Sequence, residues 1–338
     1  MKAAVFAFTA RGCETARGLL KALEGWEIGA YTLDRLAEGG FLPLGKPSRA
    51  FYGELFSACD ALIFVGSAGI AVREIAPHVR DKRTDPAVLC IDERGQYVIP
   101  LLSGHIGGAN ALSRRLAQTM GALPVITTAT DVNGRFSVDT WATEQGFVIG
   151  DMQAAKTVSA AILEGDVPLC CDYPIVTALP TGTVAGEKGP VGICISCRDK
   201  RPFAVTLPLI PRMLHLGIGC RRGTQESAIR AAVETVFREN VLDLRAVKGV
   251  YSIDLKAEEA GLLSFCARRG WPAIFYSAEK LRGAKGDFTP SAFVQSVTGV
   301  DNVCERAALL DAERLIVKKT AMGGVTVAVA EEKLEVGF

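Results

Sequence analysis

The chain lacks most of the features that assign a function at sight. No apolar run reaches membrane-spanning length. There is no HExxH pair, no Walker phosphate loop and no Ser/His/Asp order. Charge of one sign is also missing: 38 Lys and Arg against 37 Asp and Glu leave a formal net charge of +1. That removes the bulk field on which non-specific nucleic-acid binding depends. Histidine is scarce, with three in 338 residues. Ten cysteines form no framework; only Cys194 and Cys197 make a CxxC, and a zinc site calls for a second pair. VGICISC alternates as a strand does, which puts Cys194 and Cys197 on opposite faces unless the chain bends. These thiols read as reduced and structural, with no metal site. The opening apolar run, Ala3–Phe8, is too short for a signal-peptide core and meets Arg11 at once. It reads as a first strand, and the chain is expected in the cytoplasm, with neither nucleic acid nor membrane as partner.

What is present is alternation. Strand patterns at Lys2–Phe8, Glu27–Leu33 and Ala61–Val65 are separated by helix patterns at Cys13–Leu23 and Ala50–Ala58. Ala87–Ile91 and Tyr97–Leu101 flank a hairpin turn, and Ala109–Met120 carries an apolar stripe of Leu112, Leu116 and Met120. From about Ser137 the prolines and glycines thicken, the strands shorten, and TLPLIPR, ending at Arg212, reads as a linker. A third unit follows. Thr224 is the expected N-cap of a helix to Glu239, Thr289-Pro290 is expected to open another, and Gly323-Gly324 turns a final strand pair. The expected fold class is α/β: two helix-covered, mainly parallel-sheet α/β domains, residues 1–135 and 212–338, joined by a small α+β middle domain, 136–211.

Candidate site residues gather where strands meet helices. PLLSGHIGGANALSRRLAQTMGALPVITTATD places Ser103, Gly104, His105, Gly107, Gly108 and Asn110 at one helix entrance, whose unpaired N–H groups attract anions. Its second strand is expected to end in Thr127, Thr128, Thr130 and Asp131. His105 suits a general base near neutral pH, or equally a loop-shaping donor. His78 reads as a helix C-terminal partner and His215 as structural. Ser67, Gly69 and Arg73 form a second helix entrance, and Lys82, Arg83 and Asp85 precede a strand. GIGCRRG, with Gly217, Gly219, Arg221 and Arg222, is no dinucleotide fingerprint, because its third glycine arrives one position late. It keeps a helix N-terminus flanked by two arginines, suited to a carboxylate or phosphate. Asp254, Lys256, Glu258 and Glu259 surround a later strand-to-helix turn and read as capping.

The stretches GSAGIAVREIAP, KRTDPAV, VIPLLSGHIGGANALSRRLA, PVITTATD, LHLGIGCRRGT and SIDLKAEEAGLL together resemble the CbiG family of cobalamin-biosynthesis proteins. The last unit also resembles CobE. The resemblance implies cobalt-precorrin-5A hydrolysis. Water opens the δ-lactone of a ring-contracted cobalt corrinoid, and the freed hydroxyethyl group leaves as acetaldehyde, giving cobalt-precorrin-5B. It implies no cofactor, since cobalt travels in the substrate, and it implies neighbouring enzymes of the pathway as partners. On this reading His105, Asp131 or Asp85 activates the water, and amides around Gly107 and Gly108 hold the oxyanion. Ser67, Gly69, Arg73, Lys82, Ser103, Gly104, Asn110, Thr128, Gly217, Gly219, Arg221 and Arg222 bind the substrate. A non-catalytic tetrapyrrole carrier and a nucleotide-dependent oxidoreductase are the rival readings.

Overall fold

The first strand, β1 (Lys2–Ala7), reads KAAVFA and is shielded from solvent from Ala3 onward. A strand buried on both faces belongs inside a helix-covered sheet. In this computed structural model, which describes residues 1–44, 49–81 and 84–338, that is where β1 sits. The chain divides into two compact units, Met1–Thr140 and Trp141–Phe338.

The first unit holds one seven-stranded sheet. Its further strands are β2 (Glu27–Thr32), β3 (Leu42–Pro43), β4 (Ala61–Val65), β5 (Ala87–Ile91), β6 (Tyr97–Leu102) and β7 (Leu123–Pro124), in the order β3-β2-β1-β4-β5-β6-β7. Helices α1 (Ala10–Leu20), α2 (Arg49–Ala58), α3 (Ala68–Ile75) and α4 (Ala109–Met120) cover it, and short α5 (Ala129–Val132) and α6 (Val138–Glu144) follow. Alternation along the strands splits the core in two. Val5, Ile63 and Leu89 pack with Leu19 of α1 and Leu116 of α4, while Phe6, Leu62 and Phe64 pack with Tyr52 and Phe56 of α2 and Ile75 of α3. The expected hairpin forms: β5 and β6 are antiparallel, and the Asp92 carboxylate in the turn accepts the amides of Arg94, Gln96 and Tyr97. This reversal decides the placement of the site. β6 and β7 run together against β1, β4 and β5. The loops leaving β6 and β7 therefore emerge at the edge where β4 and β5 begin, and the Ser67 loop leaves β4 at the opposite edge.

The second unit holds two five-stranded sheets. The first has β8 (Val148–Ile149), β9 (Val167–Cys171), β10 (Thr183–Ala185), β11 (Val191–Ile195) and β12 (Val205–Ile210), with α7 (Met152–Glu164) capped by the Asp151 carboxylate. Its strands are parallel except where β12 meets β8. The expected linker TLPLIPR is instead mostly strand β12, with Leu207, Leu209 and Ile210 buried; burial outweighs the proline signal. The second sheet has β13 (Leu214–Cys220), β14 (Val247–Ile253), β15 (Ala273–Tyr276), β16 (Arg314–Met322) and β17 (Val325–Glu331), in the order β15-β14-β13-β17-β16. Around it lie α8 (Glu226–Glu239), α9 (Ala260–Arg269), α10 (Ala278–Gly283), α11 (Ala292–Thr298) and α12 (Cys304–Leu309). Gly323 and Gly324 turn β16 into β17 with φ of 58° and 84°, as a two-residue hairpin requires. Two expected caps move. Gln225 rather than Thr224 precedes α8, because the Thr224 hydroxyl donates to the Arg221 carbonyl inside the turn. Ser291 rather than Thr289 caps α11.

Cys194 packs with Cys170 and Phe203, while Cys197 belongs to the large core with Ile210 and Leu214. The two thiols do not converge as a ligand pair. Among the described residues no helix is long and apolar enough to cross a membrane.

Gly217 has no room to grow, since a Cβ there would lie 1.9 Å from the Cys304 carbonyl on α12. Gly217→Ala is therefore expected to cost about 3 kcal/mol by forcing α12 off β13. Urea unfolding measures it; an unchanged midpoint would show that α12 tolerates the methyl.

Candidate functional site

The loop between β6 and α4 is shaped by its own backbone. Ser103 takes a left-handed φ of 57°. Its hydroxyl donates to the Asp85 carbonyl (3.0 Å), and its carbonyl accepts the Ala109 amide (3.1 Å). Gly104 lies under Asn110, and a Cβ on Gly107 would fall 2.3 Å from that of Ser103. These glycines let the loop close on itself. The Gly108 amide donates to His105 O (2.8 Å) and the Asn110 amide to Gly104 O (2.9 Å). The Gly108, Ala109 and Asn110 amides are thus spent on the loop, which takes Gly108 out of the expected oxyanion site.

What the loop presents instead is His105, inside a ring of polar side chains. Its Nε2 lies 3.1 Å from Asp131 Oδ2 on α5, and its Nδ1 lies 3.2 Å from Asp139 Oδ1 on α6. Asn110 Nδ2 donates to Asp131 Oδ2 and to the Thr128 hydroxyl, both at 3.0 Å. The Thr128 hydroxyl and the Arg114 guanidinium also donate to Asp131. Burial alone would raise the Asp131 carboxyl, but the bonds from Thr128, Arg114 and His105 outweigh it and bring the pKa down to about 2. His105 moves the other way. Its bond to Asp139 raises it above 6.5, burial opposes, and Asp131 adds to the rise.

A neutral imidazole has one N–H and one lone pair, and here either tautomer would turn its lone pair toward a carboxylate. The geometry therefore fits the imidazolium. Asp131, with its carboxyl near 2, is a weak base at neutral pH. Asp139 carried no motif in the sequence, although the stretch Ser137–Phe147 reads as helical and does form α6.

The remaining candidates scatter. Ser67 caps α3, accepting the Gly69 amide at 3.3 Å, and both stand at the opposite edge of the sheet from His105. Arg73 is exposed in the last turn of α3. Lys82 lies outside the described residues. The Asp85 carboxylate is buried and accepts the Arg80 amide (2.8 Å), so it anchors a loop behind Ser103. His78 follows the end of α3 and packs on Phe56, and His215 stacks on Tyr251 and meets Glu332 at 2.8 Å.

The second unit carries an open cavity of about 710 Å³ beside the GIGCRR turn. Its walls are apolar: Phe293, Val294 and Val297 from α11, Met322 and Val325 from the β16–β17 hairpin. Arg221, Arg222, Lys256 and Lys319 stand around it, and none of its lining residues is acidic. Phe293 is 75% and Val297 61% exposed. Gly219 lines the cavity, whereas buried Gly217 serves α12. The turn's amides are again committed, Arg221 to Gly324 O and Gly223 to the Glu259 carboxylate. Anion affinity here resides in side chains. Lys256, read as part of a cap, does pair with Glu259 (2.9 Å), yet it also lines the cavity.

One chain that carries a mainly parallel α/β unit with a polar cluster at its strand ends and a second unit with a cation-rimmed apolar cavity fits a protein for acidic small molecules with an apolar body. Two family models match: Cobalamin synthesis G N-terminal over residues 50–131, and Cobalamin synthesis G C-terminus over residues 214–330. The chain is 37% identical to the cobalt-precorrin-5A hydrolase of Salmonella typhimurium, with 96% of each covered. It is 33% identical to that of Priestia megaterium, covering 97% of this chain and 94% of the relative. Protein CobE of Sinorhizobium sp is 34% identical over 35% of this chain and 79% of its own length. The chain belongs to the cobalamin synthesis G family.

The polar cluster makes stability depend on pH at both ends. Asp131 contributes above its unfolded value of 3.8, and that contribution fades as pH falls toward about 2. His105 contributes below 6.5, and its share is lost as pH rises through its raised folded value. Asp131→Asn is expected to lower stability by about 2 kcal/mol at neutral pH and to flatten the acid limb. Denaturant melts from acid to neutral pH would show it; parallel acid limbs in both proteins would contradict the hub.

Proposed function

We propose that the chain is a cobalt-precorrin-5A hydrolase. The observation that carries this is near full-length similarity to relatives of that name, joined to a cavity of matching chemistry. The macrocycle is broad, apolar at its centre and edged with acetate and propionate carboxylates. An apolar cavity with two arginines and two lysines around it suits such a shape, with guanidinium forks for the carboxylates. Cobalt enters as part of the substrate, so the reading assigns the protein no cofactor of its own.

The chemistry has two stages. Water adds to the lactone carbonyl, and the ring oxygen leaves as an alkoxide that takes up a proton. The resulting hydroxyethyl group then loses its hydroxyl proton to solvent water. Its carbon–carbon bond breaks, acetaldehyde departs, and the electron pair stays with the macrocycle. Within the first unit, Asp131 holds His105 as a positive charge suited to an oxyanion or alkoxide, and Asp85 anchors its loop. Arg221 and Arg222, with Lys256 and Lys319, bind the substrate carboxylates.

The division into 1–135, 136–211 and 212–338, each carrying one of the three sheets, belongs to this proposal. So do a cytoplasmic location, in keeping with ten unpaired cysteines, and handover to neighbouring enzymes of the pathway.

Incubation with enzymatically made cobalt-precorrin-5A, coupled to aldehyde detection, is expected to give one acetaldehyde per macrocycle. A corrinoid bound and returned unchanged would establish the carrier instead. Quenching of a reduced nicotinamide's fluorescence would favour the oxidoreductase. Replacing Arg221 and Arg222 together by alanine is expected to raise KM about tenfold with kcat little changed, the mark of contacts held equally in ground and transition states. A selective loss of kcat would move those arginines into the chemical step.

A further inference from the structure

Asp139 faces His105 from one side and Asp131 from the other, and the two carboxylates come from separate helices. Asp131 Oδ2 already accepts from Asn110 and Thr128, and its Oδ1 accepts from Arg114. Asp139 Oδ1 accepts the Thr140 amide at 3.0 Å and the Ser137 hydroxyl at 3.3 Å. Neither facing oxygen has room for a proton of its own, so the protons between these groups and the ring sit on the ring. The Thr130 hydroxyl, 3.4 Å from Nε2, is the nearest neutral group, and the following turn is tied in through the Arg135 amide on the Thr130 carbonyl (2.8 Å). Arg114 is spent on Asp131. Behind the loop, Asp85 meets Ser103 only through its carbonyl.

We infer that Asp139 is a positioning residue that, with Asp131, keeps His105 protonated, so that His105 serves turnover as a fixed cation and never as the base. The direction in which the pKa of His105 moves agrees with this geometry. The part concerning turnover rests on the hydrolase reading; the charge state of the ring does not.

The sign of one pH shift separates the two roles. If the imidazolium is the working form, activity falls as pH rises through the His105 pKa. Removing the charge of Asp139 then moves that fall to lower pH. If neutral imidazole were the working form, activity would rise through the same pKa, and the same change would extend activity toward acid. Two measurements on the full chain decide it. In ¹⁵N-histidine NMR, with three resonance pairs and His105→Gln for assignment, both ring nitrogens of His105 are expected to stay protonated above the ordinary imidazole midpoint of 6.5, and Asp139→Asn to lower the midpoint by about one unit. Acetaldehyde release by Asp139→Asn is expected to lose its alkaline limb about one unit earlier than the wild type. A single neutral tautomer in the wild type at neutral pH overturns the inference. So does a rising limb displaced toward acid in Asp139→Asn. If the wild type releases no acetaldehyde, the hydrolase reading fails and the NMR titration still decides the charge state.

Discussion

A carboxylate taken out of water must be met by donors, and the local order of both units follows from two that are met in full. In the first unit Asp131 gathers His105, Asn110, Thr128 and Arg114, which come from the β6–α4 loop, from α4 and from the approach to α5. In the second unit Glu305 on α12 is fully buried. It accepts the Thr289 amide (2.6 Å) and hydroxyl (3.0 Å), the Asn302 side-chain amide (2.7 Å) and the Lys319 amide (2.6 Å). Each carboxylate ties together segments that share no regular hydrogen-bond ladder. A missing donor would leave charge uncompensated in a poor dielectric, at a cost of several kcal/mol. Each therefore fixes a local geometry that apolar packing would leave loose.

The consequences differ between the units. Around Asp131 the result is a charged, nearly closed cluster whose centre is an imidazolium. Around Glu305 the result is a wall. Asn302 and Lys319 both line the cavity while bonding to that carboxylate, and the Ser291 cap of α11 stands two residues from Thr289. Gly217 completes the arrangement by letting α12 lie directly on β13. The exposed Phe293 and Val297 then border an opening lined by cations and by no acidic residue, which is a poor surface for water and a good one for a flat, acid-edged ligand.

Where the sequence has strong periodicity, the fold was legible. α4 occupies Ala109–Met120 as its apolar stripe required, and the β5–β6 and β16–β17 hairpins stand where their turns placed them. Proline misled at TLPLIPR, since a strand buried on both faces outweighs a missing amide. The site was half legible. Glycines and polar residues marked His105 and Asp131, but motif spacing could not reveal that β6 runs against β5. That reversal separates Ser67 and Gly69 from His105, although all three stand at strand ends. Nor could it show that a tight loop uses up the Gly108, Ala109 and Asn110 amides at that helix entrance. Asp139, Lys319 and Glu305 act through contacts distant in sequence, and no local pattern announces such contacts.

The central claim is that a carboxylate-edged corrinoid is held in the cavity of the second unit by side-chain cations. The most direct test is a structure of the full chain with a stable cobalt corrinoid that lacks the lactone. The account places its ring against Phe293 and Met322, with side-chain carboxylates on Arg221, Arg222, Lys256 or Lys319. A corrinoid bound elsewhere, with that cavity empty, would contradict it.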